Sequence, residues 1–254
     1  QTAFLLMQAV ANGKLSLNES LADFYPTVVT GETVTLKEML NMCSGLGLDT
    51  DILYHLPAES SEATVAFALN NIYAQSSKDF SYQPVNYILL AGILEQVYQK
   101  SYQELFEAAI IKSMQLTETS FGMDENPQQA QAYSASGELT TPGQAAFARE
   151  LGTGNVFMSA RDLFVYYESV LKNEQLSEAL RDQMWATFPN ESYAGGLYHR
   201  EGYFHGHGVK NNYEPTLDFS NDGQNAVVLL ANKREETTDL NKLCDQFFAE
   251  LVAE

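Results

Sequence analysis

Phe80-Ser-Tyr-Gln-Pro-Val-Asn-Tyr-Ile-Leu-Leu-Ala-Gly-Ile-Leu-Glu95 passes from an aromatic, polar entry into an apolar helix. Apolar residues keep helical spacing over 84–100, with Tyr82 standing just before the helix. Working back along the chain, 60–75 has the same periodicity. Thr35 to Met42 reads as a helix opened by a Thr35–Glu38 capping box and stopped at Ser44-Gly45. Thr2 to Lys14 is apolar nearly all round, with Gly13 as its stop, which describes a buried helix. Working forward, Tyr102–Met114 continues the helical pattern. Residues 122–150, rich in Gln, Ser, Gly and Pro, read as a long surface loop. Helices are expected from Ser159 to Lys172 and over 176–188.

Past Pro189 the periodicity changes. Residues 193–232 alternate, with many aromatics and glycines, and end in the buried strand Asn225-Ala-Val-Val-Leu-Leu-Ala-Asn. Thr238 to Leu251 is an amphipathic helix with Leu240, Leu243, Phe247 and Leu251 on one face. Many helices followed by antiparallel strands and a covering helix predict an α+β fold. Within one domain, 1–190 is the mainly helical region, and 191–254 holds the strands and the last helix.

Composition narrows the function. The 254 residues are 45% hydrophobic, an ordinary globular proportion. Lys and Arg number 14 against 33 Asp and Glu, a formal charge of −19. That balance argues against nucleic acid and anionic membranes as partners, because phosphate affinity comes from clustered cations. Cys43 and Cys244 read as buried free thiols, with one long-range disulfide as the alternative. Four histidines without CxxC or HExxH give no metal signature and imply no cofactor. The apolar runs are too short to span a bilayer. A buried helix needs partners for its first amides, yet only Gln1 precedes Thr2. The sequence is therefore expected to begin inside an element, with upstream residues belonging to the same fold.

Several segments, in order, resemble the serine β-lactamases, penicillin-binding proteins and D-Ala-D-Ala carboxypeptidases. Gly13-Lys-Leu-Ser-Leu-Asn-Glu is similar to that family's "GKLSLDD". Val34-Thr-Leu-Lys-Glu-Met-Leu-Asn-Met-Cys-Ser-Gly-Leu is similar to "ITIRDLLTHTSGL", and 80–95 to "FxYSNxGYxLLGxIIE". Gly154-Asn-Val-Phe-Met-Ser-Ala-Arg-Asp-Leu is similar to "GGLxSTARDL". Gly202-Tyr-Phe-His-Gly-His-Gly and Ala226-Val-Val-Leu-Leu-Ala-Asn fit the closing strands. The resemblance implies a β-lactamase/transpeptidase-like fold, an α-rich region beside an antiparallel sheet flanked by helices. That sheet normally draws strands from both chain ends. Only the C-terminal ones are present, so an unpaired sheet edge is expected.

The resemblance also implies a site. Counting back from Thr2-Ala3 places the Lys of the family's Ser-x-x-Lys motif just before Gln1, and the Ser three residues earlier. Tyr82 matches the catalytic tyrosine of Tyr-x-Asn, but Pro84 stands where the Asn should be and has no side-chain hydrogen bond to offer. Asn86, two residues on, is the candidate to compensate. Gly206-His207-Gly208 falls on the third motif, Lys-Thr-Gly or His-x-Gly, without its leading cation, so His205 and His207 are candidate substrate-binding residues. The amide of Val209, after Gly208, would supply half of an oxyanion hole. Tyr82 would shuttle the proton, which for a phenol of pKa about 10 needs a neighbouring cation. Lys210 is the local candidate.

By resemblance the substrate is a small molecule or peptide of the D-Ala-D-Ala or β-lactam kind, met at the cell envelope. One rival is a relative that keeps the fold as a binding or regulatory domain without the chemistry. Another is a metal-dependent hydrolase using His205 and His207, alternate residues of one strand. His55 and His199 read as surface residues, and Glu95 and Glu104 as solvated helix faces.

Overall fold

The computed structural model describes residues 1–49, 51, 60–122, 128–141, 149–172, 175–234 and 237–253. The first helix, α1 (Thr2–Ala11), buries Phe4, Leu6, Met7 and Ala9. Gly13 follows it at φ +65, a left-handed turn that costs glycine little. The capping box of α2 (Leu36–Leu40) closes in both directions. Thr35 N donates to Glu38 Oε2 at 2.8 Å, and Glu38 N donates to Thr35 Oγ1 at 3.2 Å.

The central helix, α4 (Val85–Tyr98), is buried at every position from Val85 to Leu94. It packs against α1, α2 and α3 (Ser61–Asn71) in one large apolar core. Helix over 60–75 is corrected at its end. Ile72–Ala74 leave the helix as β2, which pairs antiparallel with β1 (Leu46–Leu48). Three ladder positions to an apolar strand outweigh one more helical turn there. After α5 (Tyr102–Phe106) the chain continues as a π-helical turn over Glu107–Lys112.

A hairpin-like pair not foreseen from the sequence, β3 (Thr119–Phe121) with β4 (Val156–Met158), brackets the long connection. Within that expected loop, 123–127 and 142–148 lie outside the described residues, and 128–141 carries only isolated bridges. Helix α6 (Ala160–Leu171) starts at Ser159, whose Oγ accepts from Asp162 N at 3.1 Å. Helix α7 (Glu178–Trp185) follows.

Five antiparallel strands then form the main sheet in chain order: β5 (Tyr193–Ala194), β6 (Leu197–Arg200), β7 (Tyr203–His207), β8 (Glu214–Ser220) and β9 (Ala226–Ala231). Strand alternation divides its two faces. Leu217 and Phe219 turn to α6, where Phe219 meets the rings of Phe164 and Tyr167 at 6.0 and 5.1 Å. Tyr203 turns to the last helix, α8 (Leu240–Ala253), stacking on Phe248 at 4.9 Å. The outer strand β9 pairs with β8 alone among the described residues. The result is the α+β architecture expected, helices beside a helix-flanked antiparallel sheet. Cys43 and Cys244 are buried and free. No helix among the described residues is long and apolar enough to cross a membrane.

Candidate active site

The end of β7 is an open edge. Strand β6 pairs with β7 only as far as Tyr198 opposite His205, so from Gly206 onward that side of β7 has no partner in β6. On its other side, Gly208 N donates to Pro215 O at 3.1 Å and Lys210 N to Tyr213 O at 3.0 Å. Amides alternate along a strand, so the N–H of Val209 points the opposite way, along the open edge.

The segment 149–154 ties this edge to the head of α1. Thr2 Oγ1 donates to Gly152 O at 2.7 Å and lies 2.6 Å from Tyr102 Oη. Two residues earlier in that segment, Glu150 takes the Lys210 ammonium through Oε1 and the Thr153 hydroxyl through Oε2 at 3.0 Å. Gly152 adopts φ +70, and a Cβ on it would stand 2.7 Å from Tyr87 O and 2.8 Å from the Ala91 methyl. Only glycine allows this segment to lie so close to α4. The 149–154 segment thus links the helix head to the strand edge.

Tyr82 stands just before α4 and packs against β5. Its ring is 53% exposed and meets Tyr193 of β5 edge-on at 5.9 Å. Tyr193, Tyr198 and Phe80 pack behind it, with centroids 5.0 to 6.3 Å apart. Burial pushes the phenols of Tyr87, Tyr102 and Tyr193 well above the ordinary tyrosine range, which leaves them neutral.

The other candidates sit differently. Asn86 is buried inside the helical region with its amide fully engaged. Its Oδ1 accepts from Ser44 Oγ at 2.6 Å, and its Nδ2 faces Gln83 O at 3.1 Å and Met42 Sδ at 3.4 Å. Pro84 heads α4 without a side-chain cap, and its carbonyl accepts from Tyr87 N and Ile88 N, both at 3.0 Å. His205 is buried, with Nδ1 2.7 Å from Asp218 Oδ1. His207, partly exposed, has Nε2 3.1 Å from Glu214 Oε1. The two histidines share a strand face but have separate carboxylate partners.

Two surface assignments are corrected, those of His199 and Glu95, while Glu104 is exposed as expected. His199 is half-buried, its ring edge-on to Phe204 at 5.0 Å and its Nε2 3.3 Å from Ala194 O. Burial, then Lys37, lowers its pKa. Glu95 caps the next helix by accepting from Tyr102 N at 2.8 Å. Glu104 closes a capping box with Ser101, which holds its carboxyl below the usual range. His55 lies outside the described residues.

Sequence reading missed Glu150, Glu214, Asp218 and Asp245 as partners. A signal existed for Asp218: Thr216, Asp218 and Ser220 place polar groups on one face of an otherwise apolar strand. The chain's own Ser-x-x-Lys, Ser169 to Lys172, closes α6. Ser169 is buried there, and Lys172 pairs with Glu168 at 2.5 Å.

The Beta-lactamase family matches residues 1–243. The putative penicillin-binding protein PbpX of Bacillus subtilis is 25% identical over 237 residues, covering 91% of this chain and 59% of that protein. The teichoic acid D-alanine hydrolase of Staphylococcus aureus is 24% identical over 233 residues, covering 87% of this chain and 54% of that protein. The chain thus spans somewhat over half the length of these two curated relatives. Among solved structures, D-amino acid amidase from Ochrobactrum anthropi SV3 superposes with a TM-score of 0.82 at 15% identity, over 99% of this chain and 80% of that one.

Proposed function

Because the chain belongs to the Beta-lactamase family, we propose that it forms the body of a serine acyl hydrolase acting on D-alanyl peptides, D-alanyl esters or β-lactams. The observation that carries this reading is the 149–154 segment. It bonds Thr2 at the head of α1 and Lys210 just past β7, setting a helix head against a strand edge with an outward amide. Acyl transfer needs that pairing, a nucleophile beside donors aimed at the developing oxyanion.

The nucleophile and its lysine come from a Ser-x-x-Lys segment outside 1–254, joined to the head of α1. The chain's own copy of that pattern is buried at the far end of α6. The serine hydroxyl attacks the carbonyl carbon while Tyr82 and the lysine take up its proton. The carbonyl oxygen becomes an oxyanion held by the Val209 amide. The proton then passes to the leaving amine or alcohol, and water releases the acyl group by the reverse sequence. Gly208 lets substrate approach the edge, and His207 lies beside it. Asn86 and His205 stand behind this set, since both are buried with their polar atoms engaged. The names of two relatives, a teichoic acid D-alanine hydrolase and a D-amino acid amidase, support a D-configured acyl group. An envelope location follows from those substrates.

Intact-mass spectrometry of the full-length protein, before and after a fluorophosphonate and a penicillin, tests the reading. The expected result is one adduct on a serine shortly before Gln1, with none on residues 1–254 alone. Pro84 favours a second reading, because it offers no donor where the family's motif places an Asn amide. A folded protein that takes neither probe is then a binding relative without acylating chemistry.

A further inference from the structure

Three elements converge beneath α8. Strand β7 supplies His205, strand β8 the directly opposite Asp218, and α8 supplies Asp245. One ligating atom from each lies within 4.8 Å of the other two. Asp218 is wholly buried, and while its Oδ1 contacts His205 Nδ1, its Oδ2 has no hydrogen-bond partner. A buried carboxylate oxygen left bare is costly, and the donor beside Asp218, the Cys244 thiol, is a weak one.

We propose that His205, Asp218 and Asp245 bind one divalent zinc ion, which fastens α8 to the sheet. One imidazole and two carboxylates form a borderline nitrogen and oxygen donor set that suits zinc. In a tetrahedral zinc site neighbouring ligand atoms stand about 3.3 Å apart. Reaching that arrangement means opening the 2.7 Å His205–Asp218 contact slightly and closing separations that are now at most 4.8 Å. The bare Asp218 Oδ2 gains its missing partner. Arg200 engages Asp245 Oδ1 at 2.5 Å, with Tyr203 Oη at 3.4 Å, which fixes the carboxylate's orientation. The Asp245 side chain is 37% exposed, so the ion has a route in from solvent. Water or a substrate-independent ligand completes the fourth position. The site is structural, and it is separate from the acylation proposed above.

The 254-residue chain, stripped with chelator and dialysed, is titrated with zinc sulfate by calorimetry, with metal content checked by elemental analysis. The expected result is one zinc per chain and a melting temperature that rises with zinc, since the ion binds the folded state. Asp245→Asn, partly exposed and so tolerated by the fold, is expected to lose more than about tenfold in affinity, at or beyond what loss of a supporting residue alone costs. His207→Gln, whose ring pairs with Glu214 instead, is expected to keep the single zinc. Failure of the wild-type chain to take up one equivalent overturns the proposal. So does undiminished zinc binding by Asp245→Asn, which would assign the ion to the acidic surface. Neither readout depends on acylation.

Discussion

Lys210, just past β7, bonds through its ammonium to the Glu150 carboxylate of the helical region, and both side chains are largely shielded from water. This ion pair ties the open end of β7 to the segment that bonds the head of α1. Removing one member of a shielded pair leaves its partner's charge desolvated. Glu150→Gln and Lys210→Met are each expected to cost about 2–4 kcal/mol in urea unfolding. The double variant should cost less than the sum, with a coupling of about 1 kcal/mol or more. Additive losses would show that the two groups do not act on each other.

Asn86 separates a structural role from a binding one. Its amide joins Ser44 to the carbonyl of Gln83 inside the helical region. Asn86→Ala leaves the buried Ser44 hydroxyl without its acceptor, so about 2–3 kcal/mol of stability should be lost. Ser44→Ala should cost about 1–2 kcal/mol by the same account. Thermal denaturation of both variants checks this. An Asn86→Ala protein of unchanged stability but weakened substrate binding would instead return Asn86 to the site.

Tyr82 and Asn86 show how far the sequence is legible. Apolar periodicity over 84–100 locates the central helix, and the flanking motif marks Tyr82. Neither tells whether Asn86, four places on from Tyr82, faces solvent or the core, because that depends on the rotation of α4 against α1 and α2. The strands after Pro189 were legible from alternation, whereas β1 to β4 and the ends of short elements were not. Ile72–Ala74 is strand because Leu46–Leu48 lies beside it, a partner 26 residues away that no local pattern reveals. Glu150, Asp218 and Asp245 escaped notice for a related reason. Each is one acid among 33, and only the fold sets it opposite Lys210 or His205.

His199 makes stability depend on pH. Burial first, then the nearby Lys37, lowers its pKa in the folded state, while the Ala194 carbonyl opposes the shift. The unfolded chain therefore binds a proton more readily than the native one once pH drops below the ordinary histidine value of about 6.5. Its contribution is fully present above that value and is lost as pH falls through the lowered folded pKa. The melting temperature of wild type should fall more between pH 7.5 and pH 5 than that of His199→Asn, which carries no titrating ring. Parallel curves for the two proteins would show that His199 titrates alike in both states. Glu104 and Asp222, whose carboxyls are lowered by local hydrogen bonds, act in a more acidic range and so do not obscure the comparison.

Tyr82→Phe gives the sharpest division between chemistry and fold. The side chain is half exposed and meets Tyr193 through the ring edge, a contact that phenylalanine retains. Loss of one hydroxyl at a half-exposed position should therefore cost no more than about 1 kcal/mol in unfolding. If the phenol moves the nucleophile's proton, the rate of acylation by a chromogenic D-alanyl ester in the full-length protein should fall about 10²–10⁴-fold. The loss should appear in the acylation rate and leave the concentration for half-saturation nearly unchanged, because the group acts on the transition state. A Tyr82→Phe protein that acylates at the wild-type rate would assign the proton transfer to the lysine alone and return Tyr82 to the aromatic wall formed by Tyr193, Tyr198 and Phe80.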